Sequence, residues 1–254
     1  MTASFLLLAA LQTGAAADPA VPAPRPEYPF GVGERFTYTA KFGFITVGTG
    51  TIEVAGIDTV RQVPTFLFRF GIEGGVPMYR INSVLESRSA MTDLRSLRFT
   101  QHSEENGKLR ERLYEIFPDS GYYREGENPE PMPSVARPLD DAAFLYFVRT
   151  QPLEVGRTYE LHDYFKQDKN PLRIKVEKFE EMELPDGRKV QCFVIHPIIG
   201  DRGIFAPRQD ARVWLTADAH RIPVQIRTRY PFGTISLRLK EMVLADPTPR
   251  PAEP

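Results

Sequence analysis

Side chains able to do chemistry are few in this sequence, and their spacing favours no known reaction. The four histidines stand apart, and no H-x-x-x-H or C-x-x-C pattern supplies paired metal ligands. The adjacent His162 and Asp163 are the residue types of a general base and its orienting carboxylate. A hydrolase built on this pair would also need a buried nucleophile beside His162. We therefore predict no catalytic residues, no metal site and a protein that is not an enzyme.

Motifs for covalent catalysis or cofactor binding are also absent from the sequence. No G-x-S-x-G elbow occurs. The glycines of GVGERF and GTGTIEV lack the strand-loop-helix setting of a phosphate cradle, so Gly43, Gly48 and Gly50 predict a bulge or tight curvature in a sheet. The single cysteine, Cys192, lies in the apolar run VQCFVI, which is typical of a buried thiol. We expect no cofactor.

The charges of the chain are balanced, with 32 Lys and Arg against 33 Asp and Glu in 254 residues. Because domains that bind nucleic acid are usually strongly basic, we expect no nucleic-acid partner.

Both ends of the sequence predict segments outside the folded domain. Residues 1–17 hold an apolar stretch too short to span a bilayer, and Ala15 and Ala17 form an A-x-A cleavage site before Asp18. We expect an export signal, a periplasmic or secreted protein, and no transmembrane segment in the mature chain. Residues 18–29 and 245–254 are proline-rich and predict a tether and a tail. One domain remains, at 30–244.

Alternation of apolar and polar residues predicts β-strands along most of this domain. Apolar residues recur at every second position of 36–42, 66–72 and 172–176. A sheet with one buried and one wet face is antiparallel. The turn sequences at 106–107, 119–121 and 185–187 contain the Asn, Asp and Gly residues that suit tight hairpins. Many short hairpin-linked strands predict a strongly curved single sheet, a sandwich or a barrel.

One segment, PLDDAAFLYFVRT, predicts a helix from Asp140 to Arg149. Asp140 or Asp141 is a suitable N-cap. The seven apolar residues that follow leave the helix no wet side, so it must be buried on most sides. We expect it to pack on the concave face of the curved sheet, with Tyr146 and Trp214 mostly buried.

The stretch from Val213 to Leu239 has two further alternating runs. Apolar residues of 222–230 and 235–239 are expected to form inner walls, and Arg227, Arg229, Arg238 and Lys240 an outer basic face. Such a face is usually only a soluble surface. Beside a cavity mouth it would suit anionic head groups or a membrane surface.

Three blocks together resemble a known family: GERFTYTAKFGFITVGTGTIEV, DDAAFLYFVRTQPLEVGRTYEL and ARVWLTADAHRIPVQI followed by FGTISLRL. The chain is similar over nearly its whole mature length to an exported bacterial family catalogued as domain of unknown function 3108. Its late hairpin also resembles that of the lipoprotein carriers LolA and LolB. That resemblance implies a half-barrel whose helices cover an apolar cavity, but it implies no reaction.

The aromatic inventory, 17 Phe and 10 Tyr, suits either a filled core or a ligand cavity. The first hypothesis is a cell-envelope protein that binds or carries a lipid-like or apolar ligand. The second is a non-enzymatic envelope scaffold with a filled core, which binds a protein partner through a sheet edge or its proline-rich ends. The cavity candidates are Phe66, Phe68, Phe70, Phe144, Phe147, Trp214 and Tyr230.

Overall fold

A computed structural model describes residues 28–76, 79–200, 205–230 and 233–246. The predicted export signal lies outside these residues, as do most of the predicted tether and tail. Fourteen strands and one α-helix occur in the described part: β1 (Arg35–Phe42), β2 (Ile45–Val60), β3 (Val63–Val76), β4 (Tyr79–Ala90), β5 (Ser96–Glu105), β6 (Lys108–Phe117), β7 (Tyr122–Glu125), β8 (Met132–Pro133), α1 (Ala143–Arg149), β9 (Thr158–Leu161), β10 (Leu172–Glu183), β11 (Lys189–Ile198), β12 (Arg212–Thr216), β13 (Pro223–Tyr230) and β14 (Gly233–Val243). The predicted mostly β class is confirmed.

All fourteen strands form one antiparallel sheet with the order β8-β7-β6-β5-β4-β3-β2-β1-β14-β13-β12-β11-β10-β9. The chain starts in the middle at β1 and runs hairpin by hairpin to the β8 edge. It then crosses to the β9 edge and returns to β14, which pairs with β1. The crossing segment contains α1, so the topology itself carries the helix over one face of the sheet.

The predicted hairpin turns are confirmed by their backbone angles. Asn106 and Gly107, between β5 and β6, both have positive φ (51° and 76°), as a two-residue type I′ turn requires. Gly187 (φ 84°) lies between β10 and β11, and Gly121 (φ 68°) ends the short 3-10 turn between β6 and β7.

The sheet curls until its two ends approach each other. The ring of Phe165, between β9 and β10, lies 6.0 Å from Phe99 of β5 and 5.1 Å from Tyr114 of β6. These strands stand near opposite ends of the strand order. No ladder joins β8 to β9 in the part of the chain that the structure describes, so the sheet is an open half-barrel. This confirms the predicted curvature.

Helix α1 lies against the enclosed, concave face, and all seven of its residues are buried. The ring of Tyr146 stacks on Phe68 of β3 at 4.0 Å. The predicted burial of Tyr146 and Trp214 is confirmed, with 1% and 3% of their surface exposed. The helix begins at Ala143, three residues later than predicted, because Asp141 and Ala142 first form a turn.

Candidate functional site

The inner face of the half-barrel carries rows of side chains that run across neighbouring strands. Directly paired residues share a face, so the strand register defines each row. One row, here called the covered row, consists of Phe68, Ser87, Phe99 and Tyr114. The next row towards the β1–β2 turn, here called the open row, consists of Phe70, Leu85, Gln101 and Arg112.

The covered row is occupied by the crossing segment. Tyr146 of α1 stacks on Phe68, Asp140 accepts a hydrogen bond from Ser87 Oγ at 2.6 Å, and Phe165 packs on Phe99 and Tyr114. Phe68, Ser87 and Phe99 are buried to 1% exposure or less. This part of the concave face is therefore filled by the protein itself.

The open row is only partly covered. Phe70 and Leu85 pack on the core yet are half-buried, Gln101 is half-buried, and Arg112 is exposed. Along the row the surface changes from apolar on β3 and β4 to polar on β5 and basic on β6. Three strand spacings of about 4.8 Å separate Phe70 from Arg112, or about 14 Å in all. A surface graded in this way matches an amphiphile with an apolar body and an anionic end.

The row beyond it repeats the same gradient. Ile72 on β3 pairs with Ser83, Ser83 with Ser103, and Ser103 with Arg110 on β6. Ile72, Ser83 and Ser103 are half-buried, and Arg110 is exposed. The apolar-to-basic gradient is therefore a property of this whole end of the inner face.

A second cation lies beside the basic end of the open row. Lys166 Nζ donates to Tyr114 Oη at 3.0 Å and lies 4.3 Å from the centre of that ring. Arg112 Nη1 also donates to Tyr114 Oη, at 3.4 Å, and this hydroxyl donates to Glu125 at 3.1 Å. Burial lowers the pKa of Lys166, although Glu125 opposes this effect. Since an ammonium group has three donors, Lys166 retains hydrogen-bonding capacity for an anion.

Buried polar contacts hold the N-terminal end of α1. Asp140 Oδ1 accepts hydrogen bonds from the backbone N–H groups of Ala142 and Ala143, both at 2.9 Å. Its Oδ2 accepts from Ser87, and its own N–H donates to Ser96 Oγ at 3.1 Å. Burial raises the pKa of Asp140 to about 7, against the opposing effect of these hydrogen bonds. Asp140 thus caps the turn that leads into α1 from inside the core, whereas the N-cap position of the helix itself is Ala142 and not the predicted Asp140 or Asp141.

An ion pair holds the C-terminal end of α1. The Arg149 guanidinium donates to both carboxylate oxygens of Glu34, at 2.6 and 2.8 Å, and both side chains are 1% exposed. The same guanidinium donates to the carbonyl oxygens of His220 and Pro29. The sequence did not single out Glu34. The signal in the sequence that could have indicated a buried ion pair was an arginine directly after six apolar helix residues.

Four of the predicted cavity candidates lie together inside the half-barrel. Phe66, Phe68 and Phe144 have no exposed surface, and Phe147 has 6%. Protein atoms therefore surround these rings, which belong to the filled part. Phe70 is the candidate that reaches the open row.

The other two candidates are not brought to this site. Trp214 pairs with Gln225 and lies 5.0 Å below the guanidinium of Arg227, which places it on the outer face. The sequence did not reveal this placement of Trp214. Alternation of apolar and polar residues separates the two faces of the sheet, but it does not show which face α1 covers. The side chain of Tyr230 lies outside the described part of the structure.

Two aromatic residues at the start of the described chain were missed. Tyr28 and Phe30 are 1% exposed, and Phe30 packs edge-on against Tyr146 at 5.0 Å. Tyr28, which the sequence placed in the tether, donates to the carbonyl of Met91 at 2.9 Å and belongs to the core. The signal in the sequence that could have identified Tyr28 as a core residue was its aromatic ring within a proline-rich segment.

The residues considered for chemistry lie elsewhere. The His162 side chain is 72% exposed, with Glu160 at 3.9 Å, and Asp163 is half-buried. The described residues contain no group of three or more His, Cys, Asp or Glu side chains suited to a metal ion. Burial raises the pKa of Cys192 to about 12.

None of the helices described is long and apolar enough to cross a membrane.

A separate pocket of about 440 Å³ lies among loops at the margin of the half-barrel. Its lining is divided between polar residues, which include Asp168, Lys169 and Arg173, and apolar residues, and it contains none of the cavity candidates. Of the predicted outer basic face, Arg227, Arg229 and Lys240 are exposed, whereas Arg238 is half-buried and donates to the carbonyl oxygen of Glu183.

Comparison with known proteins supports the fold without adding an activity. A family model described as "Protein of unknown function (DUF3108)" matches residues 37–240. No curated protein matches the sequence. The β-barrel-like protein of domain of unknown function DUF1849 from Brucella abortus is similar in structure, with a TM-score of 0.56 and 11% identity over 85% of this chain and 99% of that chain. A protein described as a "putative lipoprotein" from Parabacteroides distasonis aligns over 85% of this chain and 99% of that chain, with a TM-score of 0.28 and 8% identity.

Proposed function

We propose, given that the chain belongs to the DUF3108 family of proteins of unknown function, that it is an exported, non-enzymatic protein of the cell envelope that binds a lipid-like ligand in its half-barrel. The ligand is an amphiphile with an anionic end. Its apolar part lies on Phe70 and Leu85, and its anionic group meets Arg112 and Lys166. Export is supported by the A-x-A site that follows an apolar N-terminal stretch.

The single observation that carries this proposal is the gradient of the open row. A core residue is normally covered on all sides, whereas Phe70 and Leu85 remain half-buried on the concave face. The same row ends in an exposed arginine, beside a half-buried lysine whose hydrogen-bond partner is a tyrosine hydroxyl.

The energetics suit reversible binding. Burying about a dozen methylene groups contributes about 10 kcal/mol at roughly 0.8 kcal/mol each. Association itself costs about 4 to 15 kcal/mol. A half-covered surface that adds one or two charge-assisted hydrogen bonds therefore gives useful affinity and still releases its ligand, as a carrier requires.

A second candidate function, a scaffold with a filled core, is favoured by the complete burial of Phe66, Phe68 and Phe144. Binding of a protein partner to such a scaffold through a sheet edge has less support. The free edge of β6 beyond its pairing with β7 reads KLRER, and that of β10 beyond β9 reads EKFEEME. Charged edges of this kind oppose the addition of another strand.

The test compares a fluorescent fatty acid with its uncharged methyl ester in titrations of the full chain. We expect saturable binding of the acid. Leu85→Ser should weaken both probes by about tenfold, because a buried leucine side chain contributes about 1.5–3 kcal/mol. Arg112→Gln with Lys166→Gln should weaken only the acid, by about tenfold or more.

The matched controls are Leu113→Ser on the outer face of β6 and Lys175→Gln on β10, which should change neither probe. Absence of saturable binding by the wild type, together with no lipid in solvent extracts of protein purified from cells, would leave the scaffold as the better account. Equal loss in the control variants would also contradict the assigned site.

A further inference from the structure

The turn between β1 and β2 presents two apolar side chains to solvent. Phe44 is 103% exposed and Ile45 is 67% exposed, the largest fractions among the exposed large hydrophobic residues of the described chain. Gly43 adopts a positive φ of 58°, which a tight turn requires and which a side chain would strain. These three residues are here called the tip.

The tip stands on a base of paired strands. Phe42 pairs with Ile45 on one side and with Ile235 of β14 on the other. Below the tip, Gly48 of β2 and Gly74 of β3 approach so closely that a Cβ on Gly48 would lie 2.1 Å from the carbonyl oxygen of Glu73. Strand β2 is thus paired on both sides just below the tip, with β1 and with β3.

A basic collar surrounds the tip on the outer face. Lys41 and Arg227 are both paired with Ser236 and therefore lie in one row, and Arg229 is paired with Thr234 one row nearer the tip. All three cations are exposed. Residues 37–42, 45–50, 225–230 and 233–238, the tip-proximal parts of these four strands, contain no acidic residue. The nearest acid on the adjoining strand is Glu73, which pairs with Thr49.

A bilayer surface fits these features better than a protein partner does. A stable protein interface buries about 800 Å² on each side, with matched shapes. Two projecting side chains on a narrow turn cannot supply that area, whereas lipid head groups accept a projection of any shape. Apolar insertion together with attraction of Lys and Arg to anionic lipids is the combination that gives reversible membrane binding.

We propose that the tip docks the protein onto an anionic bilayer surface. Phe44 and Ile45 enter the boundary between head groups and acyl chains, while Lys41, Arg227 and Arg229 contact lipid phosphates. This inference depends on the exposed turn and its collar and not on the open row, so it can hold even where no amphiphile is bound.

The experiment is flotation of the full chain with vesicles of phosphatidylcholine alone and of phosphatidylcholine mixed with phosphatidylglycerol. We expect binding to the mixed vesicles that weakens as salt is added. Phe44→Ser with Ile45→Ser should lower the apparent affinity by about tenfold or more. Lys41→Gln with Arg229→Gln should lower it by a similar factor, because each basic residue near the surface strengthens binding to anionic lipids.

The matched control is Ile57→Ser, which removes another exposed apolar side chain from β2 (59% exposed), far from the tip. It should bind vesicles as the wild type does. A Phe44→Trp variant should show blue-shifted emission with mixed vesicles, while the buried Trp214 contributes a constant background. Failure of the wild type to float, equal losses in the Ile57 and tip variants, or an unshifted Phe44→Trp spectrum would overturn the proposal.

Discussion

Replacing Asp140 by asparagine isolates the effect of one buried ionisable group. Asparagine keeps the size of the side chain, and its Oδ1 can still accept from the N–H groups of Ala142 and Ala143. Its Nδ2 can donate to Ser87 Oγ. The variant therefore preserves the contacts that hold the start of α1 and removes only the ionisation.

The magnitude follows from the environment of the carboxyl group. Burial raises its pKa to about 7, while hydrogen bonds from Ser87 and Ala143 oppose the shift. In the unfolded chain the pKa is about 3.9. The folded protein thus holds the proton more tightly, and the contribution of Asp140 to stability falls as pH rises between these two values. Linkage gives a loss of about 2–3 kcal/mol between pH 5 and pH 8, most of it below pH 7.

The assay is urea unfolding of wild type and Asp140→Asn at pH 5, 6, 7 and 8, followed by the fluorescence of Trp214. Titrating groups remote from Asp140 contribute alike to both proteins, so the difference between the two unfolding free energies reports on Asp140 and on its coupling to the neighbouring Asp141. We expect this difference to move by about 2–3 kcal/mol in favour of the variant as pH rises from 5 to 8. A difference independent of pH would refute the reasoning, because it would mean that Asp140 is ionised throughout.

Two further predictions concern the ends and faces of α1. Phe147→Ala should lower the free energy of unfolding by about 3–5 kcal/mol, since the ring is buried on the concave side; a loss below about 1 kcal/mol in urea unfolding would contradict a packing role. Glu34→Gln should cost about 3–5 kcal/mol by leaving the Arg149 guanidinium buried beside a neutral amide. The double variant Glu34→Leu with Arg149→Met should be more stable than Glu34→Gln. A double variant as unstable as Glu34→Gln would contradict the assignment of Glu34 and Arg149 as a buried ion pair.

Local signals in the sequence predicted the strands and the helix but not which of them contact each other. Alternation identified the strands because one face of the sheet is buried, and the apolar run at 142–148 identified the helix because no wet side remains. The pairing of β1 with β14 and the contact of Glu34 with Arg149 join residues that are far apart in sequence. No periodicity marks such contacts. The sequence accordingly identified Phe68 and Phe70 as inner residues, without showing that α1 covers one and leaves the other half-buried.

The positions of the contacts along the strands connect the two proposals. Helix α1 is held by Ser87 near the end of β4 and by Glu34 just before β1, so it fills the end of the half-barrel away from the β1–β2 turn. The open row lies nearer the turn, and the tip projects from the turn itself. Gly50, paired with Ile72 one row beyond the open row, is five residues from Ile45, or about 17 Å along the strand. An amphiphile leaving a bilayer at the tip would thus meet the half-buried apolar rows before the filled end, and Arg110 and Arg112 would lie to one side of its path. The two experiments separate these steps, because loss of vesicle binding in the tip variant should leave binding of the soluble fatty acid unchanged.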